Sequence, residues 1–237
     1  MKKEENMGII NKFTNGTKYL KNFITTRPLL FGPDEDNSFP YQRRAKKIYH
    51  DYVRSKSLIL VANILNNEGV PGDTAEVGVF TGIYASQINF AFPTRTLHLF
   101  DTFESFNKKE YDSEIDIGYN RQKFHAVFSK TSIEMVRKKM TYPENCIFYQ
   151  GLFPDTAKDL DGKFCFVSID VDLETSIYQS LVYFYPRLEK GGYLFIHDYN
   201  NSNLPGVERA VKRFEKENGF MCKFPLCDAG GTLIVTK

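Results

Sequence analysis

Two apolar runs in this chain end in hard ligands. Phe164-Cys-Phe-Val-Ser-Ile leads into Asp170-Val-Asp172-Leu-Glu174, and Tyr193-Leu-Phe-Ile leads into His197-Asp198-Tyr-Asn200. If both runs are strands of one parallel sheet, their carboxyl ends lie on the same edge and the two clusters converge. Asp170, Asp198 and either His197 or Asn200 could then hold a divalent cation, Mg²⁺ with oxygen ligands or Mn²⁺ or another transition metal with His197. A cation so placed could bind two neighbouring hydroxyls of a substrate and lower the pKa of one. Asp172, one residue off the metal, could take the proton as general base. Taken singly, Asp198 reads equally well as a turn cap and His197 as a hydrogen-bonded core histidine. Taken together, several acids on one sheet edge repel one another unless a cation is present.

These clusters need an element that carries the other reactant to the same edge. Thr74-Ala-Glu76-Val-Gly78 is a β-prone run ending in glycine. It is followed by a helix-compatible run with Ile83, Ala85, Ile88 and Phe92, and then by Leu97-His-Leu-Phe-Asp101-Thr102. That is a βαβ half. The turn Glu76-Val-Gly78-Val-Phe-Thr-Gly82 puts small residues where backbone must approach a ligand and where the next helix presents unpaired N–H groups. Asp101 stands where a doubly wound sheet offers a carboxylate to a ribose diol. The pattern lacks Gly-x-Gly-x-x-Gly, so a pyrophosphate dinucleotide is not indicated and a nicotinamide oxidoreductase is a weak rival. Glu-x-Gly-x-x-x-Gly with a later Asp resembles instead the S-adenosylmethionine (SAM) site of class I methyltransferases. The glycines alone would suit any strand-to-helix turn.

The totals are compatible with that plan. A chain of 237 residues with 42% hydrophobic content can bury one sizeable core. Its 31 Lys+Arg against 29 Asp+Glu give no electrostatic reason to expect nucleic acid or an anionic membrane as partner. Cysteines 146, 165, 222 and 227 have no metal-type Cys-x-x-Cys spacing. Free thiols in a reducing compartment are expected, with Cys165 a buried apolar residue and Cys222/Cys227 the pair near enough in sequence to bridge. The charged N-terminus has no apolar run suited to a signal peptide or membrane span, so a cytoplasmic location is expected.

In chain order, residues 1–40 are polar and broken by Gly and Pro, and the first ten or so read as a loosely held arm. Residues 41–67 carry apolar positions at helical spacing, closed by Gly69-Val-Pro-Gly72. The expected division is an N-terminal arm and helical extension over 1–68 and a catalytic domain over 69–237. A polar loop after Asp101 holds Asp112, Glu114 and Asp116, and about 104–121 is expected to form a lid. A helix is predicted within 122–140, starting near Thr131 or Ser132, with Val136 and Met140 on one face. Strands at Cys146–Gly151, Phe164–Asp170 and Tyr193–His197 alternate with helices at Thr175–Leu188, stopped by Gly191-Gly192, and Val207–Glu217. Cys222–Leu226 and Thr232–Thr236 form a closing hairpin. The fold class is α/β, a Rossmann-like, mostly parallel seven-stranded sheet with a C-terminal antiparallel hairpin. His50, His98 and His125 are expected to be structural or superficial.

Several segments together resemble the macrocin O-methyltransferase family (TylF/MycF type). They are Val70-Pro-Gly-Asp-Thr-Ala-Glu76-Val-Gly-Val-Phe-Thr-Gly82, Leu99-Phe-Asp101-Thr-Phe-Glu-Ser-Phe106, Gly151-Leu-Phe-Pro-Asp-Thr156, Ile169-Asp170-Val-Asp172-Leu and Gly191-Gly-Tyr-Leu-Phe-Ile-His-Asp198-Tyr. The resemblance, which runs from about Gly69 to Ala210, implies a SAM- and Mg²⁺-dependent enzyme that methylates a hydroxyl of a sugar on a natural product or surface-glycan precursor. It implies Glu76, Gly78, Asp101, Thr102, Gly151 and Asp170 at the cofactor, Asp170, His197 and Asp198 at the metal, and Asp172 as base. The expected partner is a small-molecule sugar or glycoside, and a homo-oligomer is compatible with the family. Two positions depart from its pattern: His197 stands for the first of two acids, and Glu174-Thr175 for Tyr-Glu. A catechol-like diol acceptor, or a SAM-binding partner without catalysis, would fit the same edge.

Overall fold

The computed structural model describes residues 51–103 and 131–237. The arm over 1–40, His50, the lid over 104–121, His125 and the first part of the 122–140 helix lie outside the described residues.

Helix α1 (Tyr52–Asn67) precedes strand β1 (Asp73–Val77), helix α2 (Ile83–Ala91) and strand β2 (Leu97–Asp101). A short helix α3 (Ile133–Arg137), strands β3 (Cys146–Gln150) and β4 (Phe164–Ile169), helix α4 (Glu174–Arg187) and strand β5 (Leu188–Ile196) follow. Helix α5 (Pro205–Asn218) and strands β6 (Cys222–Pro225) and β7 (Leu233–Thr236) close the chain. The sheet order is β3-β2-β1-β4-β5-β7-β6. β1 to β5 are parallel, while β7 runs antiparallel to both β5 and β6. The seven-stranded α/β expectation and its terminal hairpin are therefore what the chain adopts.

The apolar periodicities become two packed layers. Leu58, Val61 and Leu65 of α1 join Ala85 and Ile88 of α2 and Val136 of α3 on one face of the sheet. Ile177, Leu181 and Phe184 of α4 join Val207, Val211 and Phe214 of α5 on the other. All six residues of β4 are buried, as expected of a central parallel strand covered on both faces. Ser132 caps α3 by accepting from Met135 N at 3.2 Å, and Val136 and Met140 are buried. The four cysteines are free, with Cys146 and Cys165 buried. His98 is structural: Nδ1 meets Tyr149 Oη at 2.9 Å and Nε2 meets Asp73 Oδ2 at 3.1 Å. Among the described residues no helix is long and apolar enough to cross a membrane.

One boundary differs from the sequence expectation. α4 does not run on to Gly191-Gly192; it ends at Arg187, and Leu188 is already extended at φ −69°, ψ 131°. β5 passes through the glycines, and its pairing with β4 shifts register between Phe164 and Phe166. A Cβ on Gly192 would lie 2.9 Å from Glu189 O and 3.0 Å from Cys165 O. These glycines thus admit a strand irregularity, which local sequence does not distinguish from a helix stop.

Candidate active site

The strand order reverses between β1 and β4, and the site opens there, at the carboxyl ends of the strands. Four hydrogen bonds align the five parallel strand ends in register. Gly78 N donates to Phe100 O, Asp170 N to Val77 O and His197 N to Ile169 O, each at 2.9 Å, and Gly151 N donates to Asp101 O at 3.0 Å. Residues scattered from 78 to 197 therefore share one rim.

At the rim, Gly78 has φ +86°, and a Cβ on it would sit 2.0 Å from Asp170 O. The turn is glycine because the β4 backbone crosses it that closely. Asp101 fixes the same turn: its Oδ2 accepts from Val79 N at 2.7 Å and Phe80 N at 2.8 Å, and its Oδ1 from Phe103 N at 2.7 Å. Thr131 Oγ1 donates to Phe80 O and Lys139 Nζ to Thr81 O, which ties the α3 region to the turn. The cleft alongside encloses about 770 Å³ including its open mouth, and Gly78, Asp101, Thr102, Gly151, Asp170 and Asp172 are among its walls. Glu76 is not in the wall. It is 1% exposed beneath the turn, and burial holds its carboxyl well above the usual carboxylate range although Arg54 pulls the other way.

Beyond the cleft, Asp170, His197 and Asp198 each offer a ligand atom, all within 4.8 Å of one another. His197 Nδ1 stands 3.1 Å from Asp170 Oδ1 and 2.8 Å from Asp198 Oδ2. Asn201 Nδ2 donates to Asp198 Oδ1 at 2.8 Å. The ring is oriented from outside: a Cβ on Gly230 would lie 2.1 Å from His197 Nε2, so the turn before β7 covers that side and leaves Nδ1 for the acids. Asn200, the other ligand the sequence allows, has its amide Nδ2 donating to Gly231 O at 3.5 Å instead. Asp172 and Asp198 both adopt positive φ, 59° and 58°. Asp tolerates that region better than most residues, and such conformations cluster at functional sites.

The residue that sequence reasoning missed is Arg54. It is 6% exposed on α1. Its Nη1 donates to Asp170 Oδ2 and its Nη2 to Ser168 Oγ, both at 3.1 Å, and its guanidinium lies 3.7 Å from the centre of the Tyr84 ring. A signal existed: Arg54 falls four residues before Leu58, on the helical face that Leu58, Val61 and Leu65 bury.

Electrostatics follow from the geometry. Burial opposes the charge on Asp170, but His197 and Arg54 outweigh it and hold its carboxyl below the usual range. Burial and Arg54 oppose the charge on His197, yet Asp170 and Asp198 raise it to about 10. A folded-state pKa above the unfolded value of about 6.5 stabilises the protein below that value, and the contribution is lost as pH rises through about 10. In EDTA, the melting temperature is therefore expected to fall between pH 7 and 10, and His197→Asn to flatten that slope. An equal slope in both proteins would assign the loss to other groups.

The donor set suits a divalent cation. It is two carboxylate oxygens and one imidazole nitrogen, hard and borderline ligands close enough together to share one ion.

Comparison with known proteins agrees in kind. Residues 52–233 match the model of the macrocin O-methyltransferase (TylF) family. Mycinamicin III 3''-O-methyltransferase of Micromonospora griseorubida is 29% identical over 164 residues, which span 64% of this chain and 63% of that protein. The O-methyltransferase NovP superposes with a TM-score of 0.63 at 22% identity, over 78% of this chain and 80% of NovP. TomG of Streptomyces achromogenes, an O-methyltransferase solved in complex with SAM, superposes with a TM-score of 0.54 at 14% identity, over 90% and 95% of the two chains. The two structures share the fold.

Proposed function

Because the chain belongs to the macrocin O-methyltransferase family, we propose that it transfers the methyl group of SAM to a sugar hydroxyl, with a divalent cation, Mg²⁺ or Mn²⁺, held by Asp170, His197 and Asp198. The observation that carries the reading is the register of Gly78, Asp101, Asp170 and His197 along one rim. Asp170, which lines the cleft, also belongs to the acid cluster, so the two adjoin. The acceptor is the sugar of a glycosylated natural product or a surface-glycan precursor. Support for a sugar comes from the mycinamicin relative.

In this reading Asp101, Thr102 and Gly151 hold the ribose and adenine end of the cofactor, and Gly78 lets its amino-acid end pass close to the backbone. A divalent cation would supply Lewis acidity toward the acceptor hydroxyl. Asp172, raised into the cleft by its left-handed backbone, takes the hydroxyl proton as the oxygen attacks the sulfonium methyl in line. S-adenosylhomocysteine leaves. Positioning of two reactants on a fixed rim supplies much of the acceleration, since it removes the entropic cost of a bimolecular encounter.

Calorimetric titration of SAM and S-adenosylhomocysteine with Mg²⁺, Mn²⁺ or EDTA tests the proposal, followed by nucleotide sugars and glycosides as acceptors. Micromolar cofactor binding and metal-dependent methylation of a sugar are expected. Cofactor binding without turnover on any sugar would favour a catechol-like acceptor or a non-catalytic partner protein. No cofactor binding under any condition would end the methyltransferase reading.

A further inference from the structure

Asp170 is held from two sides. Its Oδ1 faces His197 Nδ1, and its Oδ2 accepts from Arg54 Nη1 at 3.1 Å. Arg54 is itself fixed on three sides. Ser168 Oγ of β4 accepts from Nη2, Tyr84 lies under the guanidinium, and Asp51 Oδ1 accepts from Arg54 N at 3.2 Å. Asp51 Oδ2 in turn accepts from Ala229 N, so the start of α1 is pinned to the turn that covers His197.

This arrangement is a poor stability device. Among the described residues, Arg54 Nε and Glu76 Oε2 are buried with no hydrogen-bond partner. A buried ionic network with unsatisfied atoms is commonly matched or bettered by apolar packing. A leucine or methionine at position 54 would continue the buried face of α1 formed by Leu58, Val61 and Leu65. The arginine supplies what an apolar residue cannot, a rigid two-pronged donor and a fixed positive charge behind Asp170.

We infer that Arg54 is a positioning residue for the acid cluster. It occupies Asp170 Oδ2 so that only Oδ1 is offered to a divalent cation, and its charge keeps that cation weakly held and exchangeable. The inference rests on the cation site proposed above at Asp170, His197 and Asp198.

Mn²⁺ binding, followed by electron paramagnetic resonance at one fixed pH on wild type, Arg54→Met and Arg54→Lys, tests it without any need for an acceptor. Arg54→Met is expected to bind Mn²⁺ about tenfold more tightly, the order produced by removing a unit charge a few ångströms from a divalent ion at high effective dielectric. Arg54→Lys keeps the charge but not the paired contacts to Asp170 and Ser168, so it should bind Mn²⁺ more tightly than wild type and less tightly than Arg54→Met. A merely structural arginine would act in the opposite direction, with looser binding in Arg54→Met. Unchanged or weaker binding in that variant overturns the inference while leaving the cation site standing. Mn²⁺ binding by neither protein, with S-adenosylhomocysteine still bound, removes the cation site and the inference together. Should Arg54→Met fail to fold, the Arg54 Nε–H NMR signal of wild type, assigned by its loss in Arg54→Lys, decides. It should move on Mg²⁺ titration, and a stationary signal overturns the inference.

Discussion

Replacing Asp172 with asparagine is expected to leave SAM affinity within about threefold of wild type and to lower turnover by about 10²- to 10⁴-fold, the range typical of a lost general base. The asparagine keeps the shape and the left-handed tolerance that φ 59° requires, so folding should be spared and the deficit confined to the proton acceptor. The cofactor contacts expected at Asp101, Thr102 and Gly151 are untouched. Isothermal titration with S-adenosylhomocysteine and single-turnover methylation on any acceptor that wild type accepts would separate the two effects. A variant with full turnover would take the base role from Asp172 and leave the hydroxyl proton to solvent.

Gly78→Ala should have the largest effect on the molecule as a whole. At φ +86°, with a Cβ 2.0 Å from Asp170 O, alanine imposes backbone strain and a clash with main chain that no rotamer can relieve. Adding the penalty for a left-handed residue to that for overpacking gives a destabilisation of about 3 kcal/mol or more. Retreat of β4 would displace Asp170, so cofactor binding and the acid cluster should fail together. Thermal melts and calorimetry on the variant check both. Wild-type stability in Gly78→Ala would mean that the β1 and β4 ends separate easily, and the rim would then not be a rigid platform.

The two expectations bear on different levels of organisation. In the proposed reaction Asp172 would matter for one proton, whereas Gly78 holds two strand ends at the spacing on which every other rim residue depends. The pinning of α1 through Asp51 belongs to the second kind, since it brings a residue of the leading helix to the same edge.

Much of this was legible in the sequence, for a local reason. Strand and helix periods are written in neighbouring residues. A parallel sheet puts all strand carboxyl ends on one side, so Gly78, Asp101, Asp170 and His197 could be placed on a common rim from their positions alone. The glycine turn and the acids after apolar runs needed no knowledge of what packs where. The macrocin O-methyltransferase resemblance likewise rests on these ordered segments.

Tertiary structure decided which atoms face each other. Glu76 reads as a ligand from its place before the turn, yet it lies within β1 and is buried, because that central strand is covered on both faces. That His197 rather than Asn200 faces Asp170 and Asp198 was set by Gly230 and Gly231, which pack against one and accept from the other. Leu188 enters a strand rather than ending a helix because β4 supplies a partner there. Arg54 reaches Asp170 across 116 residues of chain. Its sequence neighbours reveal only that a charge sits on an apolar face, and the identity of its partner depends on how α1 crosses the sheet, which no local pattern encodes.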